Sequence, residues 1–172
     1  MKEFIEFEHP RNNKGRFIKK YDEKLVQFAK DAIAGKATAP KEYIVGDISE
    51  DQRKKIEDAL GRPIEATVNV ISAERIVHIN KRHGSNGTAN HQMANIDDYG
   101  LIQYVLETGE CKRVTDPNET PLFSRQYNTG GNSPAPLVMF SKQIDKEYIV
   151  VEAICDGTKR GAIRIESVYT KK

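Results

Sequence analysis

Cysteine is scarce in the sequence, and its scarcity excludes the protein classes that depend on it. Cys111 and Cys155 are the only cysteines among the 172 residues, and they stand far apart in the chain. Zinc sites and disulfide frameworks need cysteines grouped at short spacings. Histidine, aspartate and glutamate also fall at no metal-ligand spacing within one predicted element. We therefore expect two reduced thiols, no metal and no other cofactor.

Long apolar runs are also missing. No stretch approaches the ~20 apolar residues that cross a membrane as a helix, and residues 1–8 do not follow the pattern of a signal peptide. Hydrophobic residues make up 38% of the chain and charged residues 30%, which is lean in apolar side chains but ordinary for a globular protein. The sequence thus predicts a cytoplasmic protein that has no membrane partner.

The sequence also has no large excess of charge of one sign. Lysine and arginine number 27 and aspartate and glutamate 25, which leaves a net charge of +2. Such a small excess does not predict nucleic-acid binding, so that prediction must rest on local basic clusters. Residues 1–20 carry basic side chains and turn formers with little apolar spacing. We interpret residues 1–20 as a basic linker or arm and residues 21–172 as one domain.

A helix is predicted from Ser72 to Gly84, and both of its ends have a chemical cause. The Ser72 hydroxyl can cap the first turn, and Glu74 places negative charge near the helix start. Gly84 can take the left-handed conformation that ends the helix. At about 100° per residue, Ile76 and Ile79 share one face. We predict that this face packs against the core.

The same helix carries a candidate base. His83 ends the apolar face and lies next to Lys81 and Arg82, whereas a separate polar stripe consists of Arg75, His78 and Arg82. An imidazole beside basic residues suits proton transfer next to a phosphate. The alternative is that the positive charge of His83 only stabilises the C-terminal end of the helix.

In the rest of the sequence, most of the predicted helices precede most of the predicted strands. Capping residues and helical spacing bound further helices at residues 22–34, 47–60 and 95–107. Alternating or continuous apolar segments are typical of strands at residues 65–71, 111–115, 121–127, 136–144, 147–155 and 161–169. We therefore expect an α+β fold, in which helices pack on one face of a twisted antiparallel sheet.

The last predicted strand brings hydroxyl groups to the edge of the buried face. Ser167 and Tyr169 continue, at alternating positions, the face of the two isoleucines before them. They are expected to reach the rim of the helix-covered side and to meet His83 there, whereas Arg164 and Glu166 should point away. The alternative is that the two hydroxyl groups only cap the strand end.

Glu152 is a further candidate because it lies on a strand that is otherwise apolar on both faces. A buried carboxylate at this position needs a basic partner. Glu152 is therefore either a catalytic carboxylate or one half of an ordinary ion pair across the sheet, with Arg164 or Lys142.

Several segments together resemble a known family. They are Tyr-Ile-Val-Gly at 43–46, Thr-Val-Asn-Val at 67–70, His-Ile-Asn-Lys-Arg-His-Gly at 78–84, Tyr-Ile-Val-Val-Glu at 148–152 and Arg-Ile-Glu-Ser-Val-Tyr at 164–169. This set is similar to the phage-encoded nuclease-like domains grouped with the barnase, EndoU, colicin and RelE ribonucleases. Such domains occur on phage head-morphogenesis and other polyvalent proteins. The likeness covers about residues 43–170, and its most specific part is the segment 78–84.

The resemblance implies a fold and a set of site residues. Family members pack N-terminal helices on an antiparallel sheet of four or five strands, and the characterised members cleave RNA without a metal. The catalytic residues that we predict are His83 as the base, Arg82 and Lys81 at the phosphate, and Ser167, Tyr169 and Glu152. Further contacts to nucleic acid are predicted for His78, Arg75, Arg125 and Arg164. Ser167 departs mildly from the pattern, because similar sequences often carry threonine there.

The function expected on these grounds is that of a metal-independent endoribonuclease, toxin-like or phage-borne, that cleaves RNA by attack of the 2′-hydroxyl. It would act in the host cytoplasm or belong to a virion, with RNA as substrate. Its protein partner would be a phage head protein or an immunity or antitoxin protein. The alternative is a non-catalytic nucleic-acid-binding module or virion component that keeps the nuclease fold. A nucleotide-sugar or ADP-ribose transferase is disfavoured, because its ordered Arg, Ser-Thr-Ser and Glu-x-Glu set is not found.

Overall fold

Helices dominate the N-terminal half of the computed structural model, which describes residues 21–36, 40–83, 96–130, 133–156 and 161–171. The helices are α1 Glu23–Ala34, α2 Glu50–Leu60, α3 Ala73–His83 and α4 Ile102–Thr108, the last preceded by a 3-10 helix at Ile96–Leu101. The basic segment predicted at residues 1–20 falls outside the described ranges. No described helix is long and apolar enough to cross a membrane.

The first three helices begin at capping side chains. Asp22, Ser49 and Ser72 each accept a hydrogen bond from a main-chain N–H of the first turn. Helices α1 and α2 end at Gly35 and Gly61, whose φ angles of 71° and 73° lie in the left-handed region. The caps predicted at Ser49 and Ser72 are therefore confirmed. The helix predicted at residues 95–107 is instead divided into the 3-10 helix and α4.

The strands form a mixed sheet. They are β1 Glu42–Asp47, β2 Val68–Ser72, β3 Glu110–Arg113, β4 Phe123–Gly130, β5 Ser133–Ile144, β6 Lys146–Cys155 and β7 Ala162–Lys171. Their order is β1-β2-β7-β6-β5-β3, and β4 also pairs with β5. Strand β2 runs parallel to β7, whereas the other pairs are antiparallel. The α+β class is confirmed. The expectation of a wholly antiparallel sheet is wrong, because β1 and β2 extend the C-terminal meander and β2 joins it in parallel.

The two faces of the sheet pack against different elements. One face packs against the helices in the main core, which contains the fully buried side chains of Ile76, Phe140, Ile154 and Ile163. Each such side chain contributes about 1.5–3 kcal/mol by leaving water. The opposite face carries a smaller apolar cluster, formed by Ala135, Leu137, Ala153 and Cys155 and flanked by Val114, Tyr127 and Val151. Since Tyr127 belongs to β4, this strand curls over the face opposite the helices.

A β-bulge at Glu166 changes which side chains of β7 face the helices. Val151 pairs with Ser167 and Glu152 pairs with Ile165, so that Glu166 is an extra residue in β7. After the bulge, the fully buried side chain is that of Val168. The prediction that Ser167 and Tyr169 share the face of Ile165 is therefore wrong. The extra residue shifts the alternation and turns both of them to the opposite face.

Candidate nucleic-acid cleft

A cleft of about 320 Å³ lies between α3 and β4, with the bulge of β7 at its base. It is lined by Arg75, His78, Arg82, Leu122, Phe123, Arg125, Gln126, Leu137, Glu166 and Ser167. The guanidinium groups of three arginines outnumber the single carboxylate of Glu166. The cleft therefore attracts anions, and its apolar side chains offer contact to a flat, uncharged group.

Helix α3 forms the basic wall of the cleft. Ile76 and Ile79 are fully buried in the main core, whereas Arg75, His78 and Arg82 line the cleft. These three residues are separated by three and four positions, which places them along one side of a helix. The polar stripe predicted from the sequence is thereby confirmed as a structural feature.

Arg75 fixes α3 against the bulge of β7. Its Nη2 and Nε donate to the main-chain carbonyl of Glu166 at 2.9 and 3.3 Å. Strand β2 ends at Ser72, where α3 begins. The side chain of Arg75 thus donates to a main-chain carbonyl of β7 just beyond the last residue pair of the parallel β2–β7 ladder. A charged donor strengthens such a bond, so this contact holds the α3 wall against the base of the cleft.

Ser124 holds the carboxylate of Glu166 in place. Its hydroxyl donates to Glu166 Oε1 at 2.5 Å and accepts from the main-chain N–H groups of Gln126 and Tyr127 at 3.0 and 2.9 Å. A serine hydroxyl has one donor and two acceptor sites, and all of them are used here. Ser124 is only 5% exposed. The position of the carboxylate is therefore set by a buried network in β4.

The bulge brings two consecutive side chains into the cleft. In a regular strand, neighbouring residues point to opposite faces, yet Glu166 and Ser167 both line this cleft. Glu166 lies on the side away from Ile165, where alternation predicts it, and the bulge brings Ser167 to the same side. One signal could have shown the bulge: the buried apolar positions Ile163, Ile165 and Val168 change from a spacing of two to a spacing of three.

Five of the residues predicted from the sequence meet in this cleft: Arg75, His78, Arg82, Arg125 and Ser167. Lys81 is exposed on α3 and does not line the cleft. The side chain of His83 lies outside the described part of the chain, so its catalytic role stays a prediction. Of the residues that the sequence analysis missed, Glu166, Phe123 and Gln126 line the cleft and Ser124 lies behind it.

Arg164 and Tyr169 lie elsewhere on β7. Arg164 pairs with Glu42 at 2.9 Å, and its guanidinium carbon lies 5.7 Å from the centre of the Tyr127 ring. Tyr169 is half-buried, and burial raises the pKa of its hydroxyl, with a further contribution from the charge of Glu147. Neither residue lines the cleft. The catalytic role of Tyr169 and the nucleic-acid contact of Arg164 therefore stay predictions that do not involve this cleft.

Glu152 is buried in the core rather than placed in the cleft. Its side chain has no exposed surface, and its Oε1 accepts from Gln52 Nε2 at 3.3 Å. Gln52 in turn exchanges hydrogen bonds of 2.8 and 3.1 Å with Asn69. Among the described residues Glu152 Oε2 has no hydrogen-bond partner. Burial raises the pKa of Glu152 to about 8, and the hydrogen bond from Gln52 opposes this increase.

The partners predicted for Glu152 are engaged with other groups. Arg164 pairs with Glu42, and Lys142 Nζ lies 5.4 Å from the centre of the Tyr104 ring. The neutral amide of Gln52, itself held by Asn69, therefore takes the place of the expected basic partner. A carboxyl group in this position stays protonated at neutral pH more readily than an exposed one.

The chain matches no protein-family model, no curated protein and no solved structure. A carboxylate accepts a proton, an imidazole accepts or donates one near neutral pH, and guanidinium groups bind phosphate oxygens.

Proposed function

We propose that the protein is a metal-independent endoribonuclease, which cleaves RNA through attack of a 2′-hydroxyl on the adjacent phosphate. One observation carries the proposal: the side chains of Glu166, His78, Arg75, Arg82 and Arg125 line a single cleft. The reaction needs a base, an acid and positive charge around the five-coordinate phosphate. The cleft contains side chains suited to all three tasks.

In this proposal Glu166 is the base and His78 the acid. The carboxylate of Glu166 removes the proton from the 2′-hydroxyl, whose oxygen then attacks phosphorus. The imidazolium of His78 gives its proton to the 5′-oxygen as the bond from phosphorus to that oxygen breaks. The products are a 2′,3′-cyclic phosphate and a 5′-hydroxyl end. Glu166 lies on β7 and His78 on α3, which suits an in-line displacement, because base and acid then act from two sides of the phosphate.

The arginines supply the charge that a metal ion would otherwise provide. Arg82 and Arg125 line the cleft from α3 and β4, so they can contact a phosphate from two directions. Arg75 already donates to the carbonyl of Glu166. It therefore holds α3 in place and also attracts the anionic phosphate. Planar guanidinium groups suit this task because they bind two phosphate oxygens at once.

His83 as the base and Lys81 at the phosphate remain secondary proposals, as the alternative to Glu166 and to the arginines of the cleft. Both follow His78 on α3, and the resemblance of the segment 78–84 to phage-borne nuclease domains is what supports them. The same resemblance supports a toxin-like or phage-borne setting and a protein partner that blocks the cleft. Isolation of the protein from its native host together with a bound inhibitor would test that setting.

Cleavage in the absence of free metal ions is the direct test. The purified chain is incubated with total RNA in excess EDTA, and the ends of the products are analysed for cyclic phosphate. We expect cleavage by the native chain and ~100-fold or greater loss in the Glu166→Gln variant. Binding of RNA without cleavage, with or without added Mg²⁺, would overturn the proposal in favour of a non-catalytic binding module.

A further inference from the structure

Two neighbouring apolar side chains are exposed in the basic cleft. Leu122 is 39% exposed and Phe123 is 48% exposed, and both line the cleft beside Arg125. Single exposed apolar residues are common on protein surfaces. An adjacent pair inside a cationic cleft differs, because these side chains offer apolar contact to a ligand that the charges attract.

The ring of Phe123 is held by its surroundings. The guanidinium carbon of Arg113 lies 5.1 Å from the ring centre, as in a cation–π contact. Arg113 Nε is buried and has no hydrogen-bond partner in the described part of the chain, so the ring is an important contact for this side chain. The main chain of Phe123 is fixed by its pairing with Pro136. A ring that is held in this way and still half exposed loses little entropy when a ligand stacks on it.

We propose that Phe123 is a stacking platform for an unpaired nucleobase whose phosphate is bound by Arg125. Phe123 and Arg125 are two residues apart on β4, and both line the cleft. A nucleotide that spans them would place its base on the ring and its phosphate at the guanidinium group. The buried Ser124 between them points into the network that holds Glu166.

This inference rests on the proposed function and names its substrate class, single-stranded RNA. A base inside a duplex is covered on both faces by its neighbours, so it cannot stack on Phe123 without leaving the helix. An unpaired base has a free face and gains stacking energy at the platform. The platform therefore selects single strands, whereas the arginines attract either form.

The test measures binding apart from cleavage. Fluorescence anisotropy is recorded with a labelled 2′-O-methyl RNA oligomer, which cannot react, and with an oligomer of equal length in which abasic sites replace all bases. We expect Phe123→Ala to weaken binding of the intact oligomer by roughly 5-fold to 100-fold and to leave binding of the abasic oligomer nearly unchanged. Phe123→Trp should keep the native affinity. Ile44→Ala, which truncates a residue that is 63% exposed on β1, is the matched control and should change neither affinity.

The outcomes separate this inference from the proposed function. The platform is overturned if the native chain binds the intact and the abasic oligomer equally tightly and Phe123→Ala does the same. This holds even if the protein cleaves RNA. Duplex RNA that binds as tightly as the single strand overturns the substrate class. Loss of base-dependent binding in Phe123→Ala, in a protein that never cleaves RNA, supports the platform and contradicts the nuclease.

Discussion

The hydroxyl of Ser124 lies 2.5 Å from Glu166 Oε1, although β4 pairs with β5, two strands away from β7 in the sheet. This contact is possible because β4 curls across the face opposite the helices and because Glu166, next to the helix-facing Ile165, points toward that same face. A serine that the sequence gives no reason to select thus determines where the proposed base lies. Its role is to position Glu166 rather than to contact RNA.

Ser124→Ala should reduce kcat by roughly 10-fold to 100-fold, because small displacements of a reacting group are costly, while KM changes little. The variant should also lose about 1–3 kcal/mol of unfolding free energy, since two main-chain N–H groups lose their acceptor. Steady-state kinetics and urea unfolding measure the two effects. In a Glu166→Gln background the same substitution should have almost no further effect on kcat. Additive losses in the double variant would contradict the positioning role.

His78→Ala should retain the fold and lose ~100-fold or more of RNA cleavage, as expected when a general acid is removed. The reason is that His78 lines the cleft with Glu166. His83→Ala is the natural comparison, because both histidines lie on α3 and belong to different faces of it. Cleavage rates of the two variants, measured with folded protein, decide between them. A large loss in His83→Ala together with normal activity in His78→Ala would make His83, rather than His78, the catalytic histidine.

Arg82→Ala and Arg125→Ala should weaken binding of single-stranded RNA of any sequence. Each removes one phosphate contact, so the slope of log affinity against log salt concentration should fall by about 0.7. Binding titrations at several salt concentrations give this slope. Lys54→Ala removes an exposed charge on α2 outside the cleft and should leave the slope unchanged. An equal effect of Lys54 would mean that only the total charge of the protein matters.

Glu152→Gln should make the stability of the protein less dependent on pH. Burial raises the pKa of Glu152 from its ordinary value of 4.5 to about 8, so the folded state binds this proton more tightly than the unfolded state. The associated stability is complete below pH 4.5 and is lost as the pH rises towards 8, by about 1.4 kcal/mol for each unit of pKa difference. Thermal unfolding between pH 5 and 8 measures this loss.

The neutral glutamine in Glu152→Gln has no proton to release, so the variant should become more stable than the native chain towards pH 8. Glu65→Gln alters an exposed carboxylate instead and should keep the native pH profile. If the stabilities of the native chain and of Glu152→Gln change with pH in the same way, the carboxyl group is not protonated in the core.

Local chemistry explains why the helices could be predicted. A serine or aspartate at one end and a glycine at the other act within a single turn, as at Ser49 and Gly61. The stripe of α3 also depends only on helical geometry. Both kinds of signal are therefore contained in about ten consecutive residues.

The sheet and the cleft depend on contacts that no short window contains. The bulge adds one residue to β7 and reverses the faces of all residues after it, so strict alternation misplaced Ser167 and Tyr169. The parallel pairing of β2 with β7 joins segments from opposite halves of the chain. Gln52, the partner of Glu152, stands 100 positions away from it. Spacing and composition do not encode such pairings, which form only when the tertiary structure brings the segments together.

The place of β7 between β2 and β6 also determines when the cleft is complete. During synthesis the earlier strands leave the ribosome first, as two groups that β7 has yet to join. Until residues 162–171 have emerged and inserted, the cleft lacks Glu166 and Ser167, and Arg75 lacks the carbonyl that it holds. The proposed ribonuclease would therefore lack its base until the strand that closes the sheet has been inserted.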